Sequence, residues 1–299
     1  MTETIGSGPY IFVADEYVPG SSASYRRNAA YVPRQEPPDW SSGGKVSHFD
    51  RIEYNAIPEP AAAVAALRTG EVDWYEQVPA DLVPALRRDP NLTIGNAVPL
   101  GYAAMLRFNH LQPPFNNTAY RRAVLMAVNQ ADYMATITGG DASAFRTCKA
   151  LLACGTIHGR EIGEPSMPGN LDRARAALKE AGYHGEKVVI LSSVDTAALG
   201  PLGDVTFDLL TKMGMNVELV ATDAGTLGQR RVSREPVEKG GWSIFPGFLP
   251  AHHLNNPVSN GFARGLGATG YFGWYADDRI EQHVAGVRTK VVRSSGDIL

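Results

Sequence analysis

The residues with the most evident chemical potential are two cysteines six positions apart, Cys148 and Cys154, in the segment RTCKALLACGT. Cysteines at this spacing can form a disulfide across a small loop, provide half of a metal site, or remain as buried thiols. No CxxC motif or cluster of histidines supplies the other half of a zinc site, so we expect no metal here. The sequence favours a disulfide and, with it, an oxidising compartment.

Two other motifs carry weaker chemical signals. The adjacent residues His252 and His253 could begin a metal site, but neighbouring side chains point apart and no carboxylate motif stands beside them. The segment 265–270, GLGATG, matches GxGxxG as a string, yet it lacks the preceding strand and following helix that phosphate binding requires. GxSxG, P-loop and HExxH motifs are absent. We therefore expect no catalytic residue, no metal and no cofactor.

The composition is that of an ordinary globular protein. The chain has 299 residues, of which 44% are hydrophobic and 20% charged. A chain of this length divides into two lobes by default, because one core stops growing at roughly 250 to 300 residues. The net charge of -3 argues against a nucleic-acid or anionic-membrane partner. The densest basic run, Arg230-Arg231 followed by Arg234, is typical of a solvated helix end.

No targeting segment is visible in the sequence. No apolar stretch approaches the roughly 20 residues that span a bilayer. The start, MTETIGSG, has neither the basic residues nor the apolar segment of a signal peptide. Either the protein is cytoplasmic, or the sequence is a piece from which an export signal was left off.

The stretch 102–134 is the element around which the other elements are arranged. Alternating apolar side chains over 102–108 predict a half-buried strand, which Pro113-Pro114 ends. Asn117 or Thr118 then offers a side-chain oxygen to cap a helix that continues to the end of the stretch. The spacing of apolar residues along that helix predicts one face packed on a core.

The residues before this stretch form shorter elements, separated by loops rich in proline and glycine. Strands are predicted from Tyr10, over Phe49–Ile57 and over Leu92–Val98, helices over Pro60–Gly70 and Pro79–Arg88, and a loop over Tyr25–Trp40.

The second half of the chain alternates strands and helices. A strand at Val188–Leu191, a helix at Pro201–Met213 and a strand at Val217–Val220 form a βαβ unit, which implies a parallel pair. Further elements are predicted as helices at Leu171–Ala181 and Thr226–Val232, a strand at Trp242–Phe245, and a helix beginning at Asp277-Asp278. Beyond Phe245 the sequence indicates a loop rich in aromatic residues. The fold class is therefore α/β.

A set of motifs follows a fixed order along the chain. They are GSGPY at 6–10, FDRI at 49–52, AALRTGEVD at 65–73, FN at 108–109, PPFN at 113–116, RRAV at 121–124, AVN at 127–129, a helix ending in AGY at 181–183, and KMGMNVEL at 212–219. In this order, over about 1 to 280, the chain resembles the family 5 extracellular solute-binding proteins, which are the periplasmic peptide- and nickel-type binding proteins of ABC importers.

The resemblance implies a fold like that of the type II periplasmic binding proteins, α/β with some α+β character and two lobes. Residues 1–105 would be the middle segment of an incomplete lobe I, and residues 106–299 a second large α/β lobe truncated at its C-terminus. Family members are mostly longer, so the chain looks like a truncated part of such a protein.

The resemblance also implies a function without catalysis. A small solute, peptide-like or other, would be held in a cleft between the lobes and delivered to an ABC permease in the membrane, which places the protein in the periplasm. The residues expected on the cleft wall are Phe245, Phe248, His252, His253 and Asn256. Peptide-binding relatives place an aspartate in this stretch to pair with the peptide's amino terminus, but 245–253 contains no acidic residue.

Two other functional interpretations stay open, together with a hypothesis about assembly. An α/β enzyme could use Cys148 or Cys154 as a nucleophile with one of the seven histidines. A truncated remnant could have lost binding altogether. Sheet edges left exposed by truncation could also pair two copies of the chain into a homodimer.

Overall fold

The computed structural model of the chain describes residues 6–39, 43–156, 158–159, 169–258 and 260–296. The chain divides into two compact units, residues 1–78 and 79–299. The predicted boundary between residues 105 and 106 falls within a strand of the second unit, and the assignment of 1–105 and 106–299 to two lobes stays a prediction. Each helix in the described residues is too short or too polar to cross a lipid bilayer.

The first unit contains an antiparallel sheet of strands β1 (Tyr10–Phe12), β2 (Ser22–Arg27) and β3 (Arg51–Asn55), followed by helix α1 (Pro60–Thr69). Tyr25 lies opposite both Phe12 and Ile52, so these side chains share one face of the sheet. The loop predicted from Tyr25 was wrong at its start, because β2 continues to Arg27 through pairing with both neighbouring strands.

The second unit is larger and is organised around a four-stranded sheet. Its elements are α2 (Val83–Leu86), β4 (Tyr102–Phe108), α3 (Thr118–Ala127), α4 (Gln130–Thr138), α5 (Leu171–Glu180), β5 (Lys187–Ser193), α6 (Leu199–Lys212), β6 (Asn216–Thr222), α7 (Ala224–Arg230), β7 (Ile244–Pro250) and α8 (Asp278–Gly296). The strand order is β4-β7-β5-β6. Strand β5 is parallel to β6 and β7, whereas β4 is antiparallel to β7. The predicted parallel βαβ unit and the α/β class are confirmed.

The sheet separates two hydrophobic cores. Because side chains alternate along a strand, Val188 and Ile190 of β5 enter one core, while Val189 and Leu191 enter the other. The larger core is filled by residues of α3, α4, α5 and α6. The smaller core contains Leu227 of α7 with Trp242, Phe245 and Trp274. The sheet is thus covered on both faces, as parallel strands require.

Three predicted elements differ from the structure. The helix expected to run to residue 134 is two helices, α3 and α4, since the side chain of Asn129 accepts a hydrogen bond from the Ala131 amide at 3.1 Å and caps a new start. Residues 92–98 form no strand. Strand β7 extends to Pro250, whereas a loop was predicted after Phe245, because all seven of its residues pair with β4.

The long segment after β7 is held against the sheet by Arg107 of β4. The Arg107 side chain is only 8% exposed, and its guanidinium donates to the carbonyl oxygens of Phe272 at 2.7 Å and Phe262 at 2.8 Å. Burial lowers the pKa of Arg107. A side chain at Gly273 would meet the Phe108 carbonyl oxygen at 2.3 Å, so the segment lies directly on the backbone of β4.

Asn109, at the end of β4, makes the second link between distant parts of the chain. Its side chain is fully buried, donates to the Trp242 carbonyl oxygen at 2.9 Å and accepts from the Leu111 amide at 3.0 Å. The Asn109 amide donates to the Ser243 carbonyl oxygen at 2.8 Å. One asparagine therefore joins the end of β4 to the residues that start β7.

We expect Asn109→Ala to lower the free energy of unfolding by about 1 to 3 kcal/mol, because the buried Trp242 carbonyl would lose its donor. Asn96→Ala is a matched control, since the exposed Asn96 also accepts a hydrogen bond from the amide two residues ahead but makes no contact across the chain. Urea denaturation followed by circular dichroism measures both. Equal effects of the two substitutions would contradict the role given to Asn109.

Candidate functional site

The carboxyl end of β7 carries an aromatic pair. The rings of Phe248 and Tyr102 are stacked, with centroids 4.9 Å apart and planes inclined by 12°. Tyr102 pairs with Pro250, and Ala104 pairs with Phe248, so both rings lie on the same face of the β4–β7 ladder. Both residues are partly exposed. They therefore offer a flat apolar surface at the end of two paired strands.

His252 and His253 follow this pair in a short 3-10 turn, Ala251–Leu254. The amide of Ala251 donates to the Gly101 carbonyl oxygen at 2.9 Å and fixes the turn to the start of β4. The two imidazole rings lie with centroids 4.3 Å apart. Burial, and then the neighbouring His253, lower the pKa of His252. His252 is therefore neutral at neutral pH, with a ring nitrogen that can accept a hydrogen bond.

Asn256 starts the next turn. Its side-chain oxygen accepts from the Val258 amide at 2.8 Å, and its carbonyl oxygen accepts from the Asn260 amide at 2.9 Å. Asn256 is exposed, so part of its carboxamide group faces solvent while the side-chain oxygen accepts the hydrogen bond that forms the turn.

Phe245 lies apart from the other predicted wall residues. It is 3% exposed and belongs to the smaller core with Trp242 and Trp274. Phe245 and Phe248 are three residues apart in one strand, so they point to opposite faces. The sequence interpretation ended the strand at Phe245 and placed Phe248 in the loop that follows, so it did not predict that the two side chains lie on opposite faces of one strand. With almost no exposed surface, Phe245 has nothing to offer a ligand in this conformation.

The segment around the cysteines packs beside the histidine turn. Cys148 and Cys154 are joined in a disulfide, as predicted. The Ala153 amide donates to the Leu254 carbonyl oxygen at 3.3 Å, and Ala153 is buried. The disulfide loop thus supports the turn that carries His252 and His253. The bond also removes the thiolate nucleophile that the enzyme interpretation requires.

Two polar side chains outside the predicted set hold this loop. The Gln130 amide donates to the Cys148 carbonyl oxygen and accepts from the Cys148 amide, each at 2.6 Å. The Arg146 guanidinium donates to the Cys154 carbonyl oxygen at 2.6 Å. Nothing in the local sequence marks these contacts, because Gln130 reads only as a solvent-facing helix residue.

The residues of this candidate site could bind a ligand by ring stacking and hydrogen bonds. Its members are the rings of Tyr102 and Phe248, two imidazoles and the carboxamide of Asn256. No group of three or more histidine, cysteine or acidic side chains arranged for a metal ion occurs in the described part of the chain. The stretch 245–253 has no carboxylate.

Comparison with known proteins identifies the family. Residues 1–258 match the family described as bacterial extracellular solute-binding proteins, family 5 Middle. The chain is 35% identical over 285 residues to a probable peptide ABC transporter periplasmic-binding protein, y4tO, of Sinorhizobium fredii, covering 94% of this chain and 54% of that protein. The chain belongs to the family 5 extracellular solute-binding proteins.

Solved structures show the same fold. The family 5 chain superposes on DppA from Helicobacter pylori, in complex with the peptide STSA, with a TM-score of 0.72 and 22% identity over 94% of this chain and 51% of that one. It superposes on AgaA of A. tumefaciens R10, in complex with agropinic acid, with a TM-score of 0.69 and 17% identity over 93% and 53%. The periplasmic-binding-protein fold predicted from the sequence is confirmed, and the chain spans about half the length of these relatives.

We expect the disulfide to contribute to stability. Closing a loop of this size stabilises a protein by roughly 2 kcal/mol in the chain-entropy account, so a Cys148→Ser/Cys154→Ser double variant should lose about that much free energy of unfolding. Denaturant titration with and without dithiothreitol measures it, and the double variant, which has no cysteine left, is the control that should not respond to the reductant.

Thiol counting under denaturing conditions gives an independent check. The unreduced protein should show no titratable thiol and the reduced protein two. Two thiols without reduction would contradict the disulfide.

Proposed function

We propose that this family 5 chain acts in the substrate-binding component of an ABC importer, capturing a small solute and delivering it to a membrane permease. The match of residues 1–258 to the solute-binding family carries the proposal. The site chemistry supports it, because a concave or flat surface of aromatic rings with a few placed polar groups suits reversible binding. Phe248, His252, His253 and Asn256 are proposed to contact the solute, with Tyr102 completing the aromatic surface.

The relatives suggest the chemical class of the solute. The y4tO protein is named as a probable peptide transporter component, DppA was solved with a peptide and AgaA with agropinic acid. A peptide-like or other small polar solute is therefore proposed. A free ammonium group is an unfavourable partner for this wall, because no acidic residue in 245–253 can neutralise it.

The proposed location is the periplasm. The relatives are periplasmic or extracellular binding proteins, and the Cys148–Cys154 disulfide suits an oxidising compartment. We also propose binding without catalysis, which the same comparison supports because the relatives are transporter components.

Self-association through sheet edges stays a hypothesis. In the described sheet of the second unit, β4 and β6 are the outer strands, and an unpaired strand edge can pair with another chain. Light scattering measures the mass in solution, and a monomer would rule out the homodimer.

We expect a solute recognised by this wall to raise the melting temperature, because a ligand that binds only the native state stabilises it. A panel of short peptides, sugars, opines and metal chelates tests this by thermal shift. His253→Ala should weaken the binding of any hit by roughly 2- to 10-fold, the loss of one hydrogen bond.

His184→Ala is the matched control for this substitution, since His184 is likewise exposed but lies just before β5. Binding that is unchanged in His253→Ala, or weakened equally in both variants, would contradict the proposed wall. No shift with any member of the panel would favour the remnant that has lost binding.

A further inference from the structure

Arginine side chains rest on aromatic rings in the smaller core of the second unit. The central guanidinium carbon of Arg231 lies 4.7 Å from the centroid of the Phe272 ring, and that of Arg234 lies 5.0 Å from the Trp274 ring. These two arginines are three residues apart, and their rings are two residues apart. We call Arg231, Arg234, Phe272 and Trp274 the arginine–aromatic site.

The Nε–H group of Arg231 lacks a hydrogen-bond acceptor among the described residues. The Nε atom is buried. No ion pair joins it to a carboxylate of the described part of the chain. A buried donor without an acceptor destabilises the folded protein, and more so when the group is charged. The missing hydrogen bond concerns the side chain of Arg231. Its backbone carbonyl oxygen accepts a hydrogen bond from the Trp242 indole at 3.1 Å.

Three other arginines of this unit each donate to at least one acceptor. Arg107, which also lies against a ring, donates to two carbonyl oxygens. Arg264 forms a forked ion pair with Glu281. Arg234 is intermediate, since it donates to the Ala268 carbonyl oxygen at 2.6 Å and is otherwise exposed. Arg231 is the one of these four for which the described structure provides no acceptor.

We propose that the arginine–aromatic site binds an oxyanion, a carboxylate or phosphate group, with Arg231 as the main ligand and Arg234 as the second. The N–H donors of a guanidinium that lies over a ring stay in the guanidinium plane. Two of them can therefore donate hydrogen bonds to two oxygens of one anion. The ring holds the group in place, so less side-chain entropy is lost on binding.

This site is separate from the proposed solute wall. Trp242, which contacts Trp274 with ring centroids 5.9 Å apart, precedes β7, whereas Phe248 and the histidine turn lie at its other end. Six residues of extended strand span about 20 Å. The two sites can therefore be tested independently, and loss of one leaves the other intact.

The test uses the tryptophan fluorescence of the protein, to which Trp274, beneath Arg234, contributes as one of four tryptophans. Wild-type protein is titrated with inorganic phosphate and, separately, with acetate, at constant ionic strength. We expect a saturable change in emission, and about tenfold weaker binding in Arg231→Gln. Arg230→Gln is the matched control, because Arg230 carries the same charge one residue earlier but donates to the Gly240 carbonyl oxygen at 3.2 Å and lies on no ring.

The outcomes separate the sources of the anion. Saturation by phosphate alone assigns the site to phosphate groups, and saturation by acetate alone assigns it to carboxylates; each supports the proposal. No saturable change with either anion would overturn it, as would equal weakening in Arg230→Gln and Arg231→Gln. If Arg231→Gln fails to fold by circular dichroism, Arg234→Gln serves instead, with a smaller loss of affinity expected and an unchanged affinity counting against the proposal.

Discussion

The side-chain alternation of β7 is the constraint on which the second unit depends. This strand joins antiparallel β4 to parallel β5, and its residues enter a different core on each face. Ile244 and Phe248 pack with the helical core, while Phe245 packs with Trp242 and Trp274. A shift in register by one residue would exchange these sets and expose both cores. The same alternation leaves Phe248, rather than Phe245, at the edge where a solute could reach it.

The segment after β7 has little regular structure and is ordered by polar groups of β4. Arg107 and Asn109 are buried, and their side chains are satisfied by the carbonyl oxygens of Phe262, Phe272 and Trp242. Burying a charge or a carboxamide without partners is costly, so the Arg107 contacts favour one path for the segment after β7, and the Asn109 contact fixes the residues just before β7. Nearby, burial and then the positive charges of Arg121 and Arg107 together lower the pKa of His110 to about 3. A neutral imidazole avoids adding another charge to this corner.

Local periodicity explains which elements the sequence could predict. Strands β5 and β6 and helices α5 and α6 were predicted within a few residues, because their apolar spacing and end signals are local. The extension of β7 was missed because Pro246 and Pro250 indicate a loop in the local sequence, although both lie in the strand and pair with Leu106 and Tyr102 of β4. The candidate site stays a prediction: Phe248 and the histidines lie close together along the chain, whereas the position of Tyr102 beside Phe248 depends on pairing across about 150 residues of sequence, which no local pattern reports.

The surroundings of the two ends of β7 differ in charge, and this difference limits which chemical groups of a ligand each end could bind. At the amino end, arginines lie on the rings of Tyr271, Phe272 and Trp274, so positive charge is held in a partly buried setting that favours anions. At the carboxyl end, His252 is kept neutral by burial, and 245–253 supplies no carboxylate. A solute that presented an ammonium group there would lose water without gaining a counter-charge. A solute that presents amides, hydroxyls or a flat apolar surface would instead meet stacked rings and neutral hydrogen-bonding groups. The proposed wall of Phe248, His252 and His253 would therefore suit the uncharged parts of a solute.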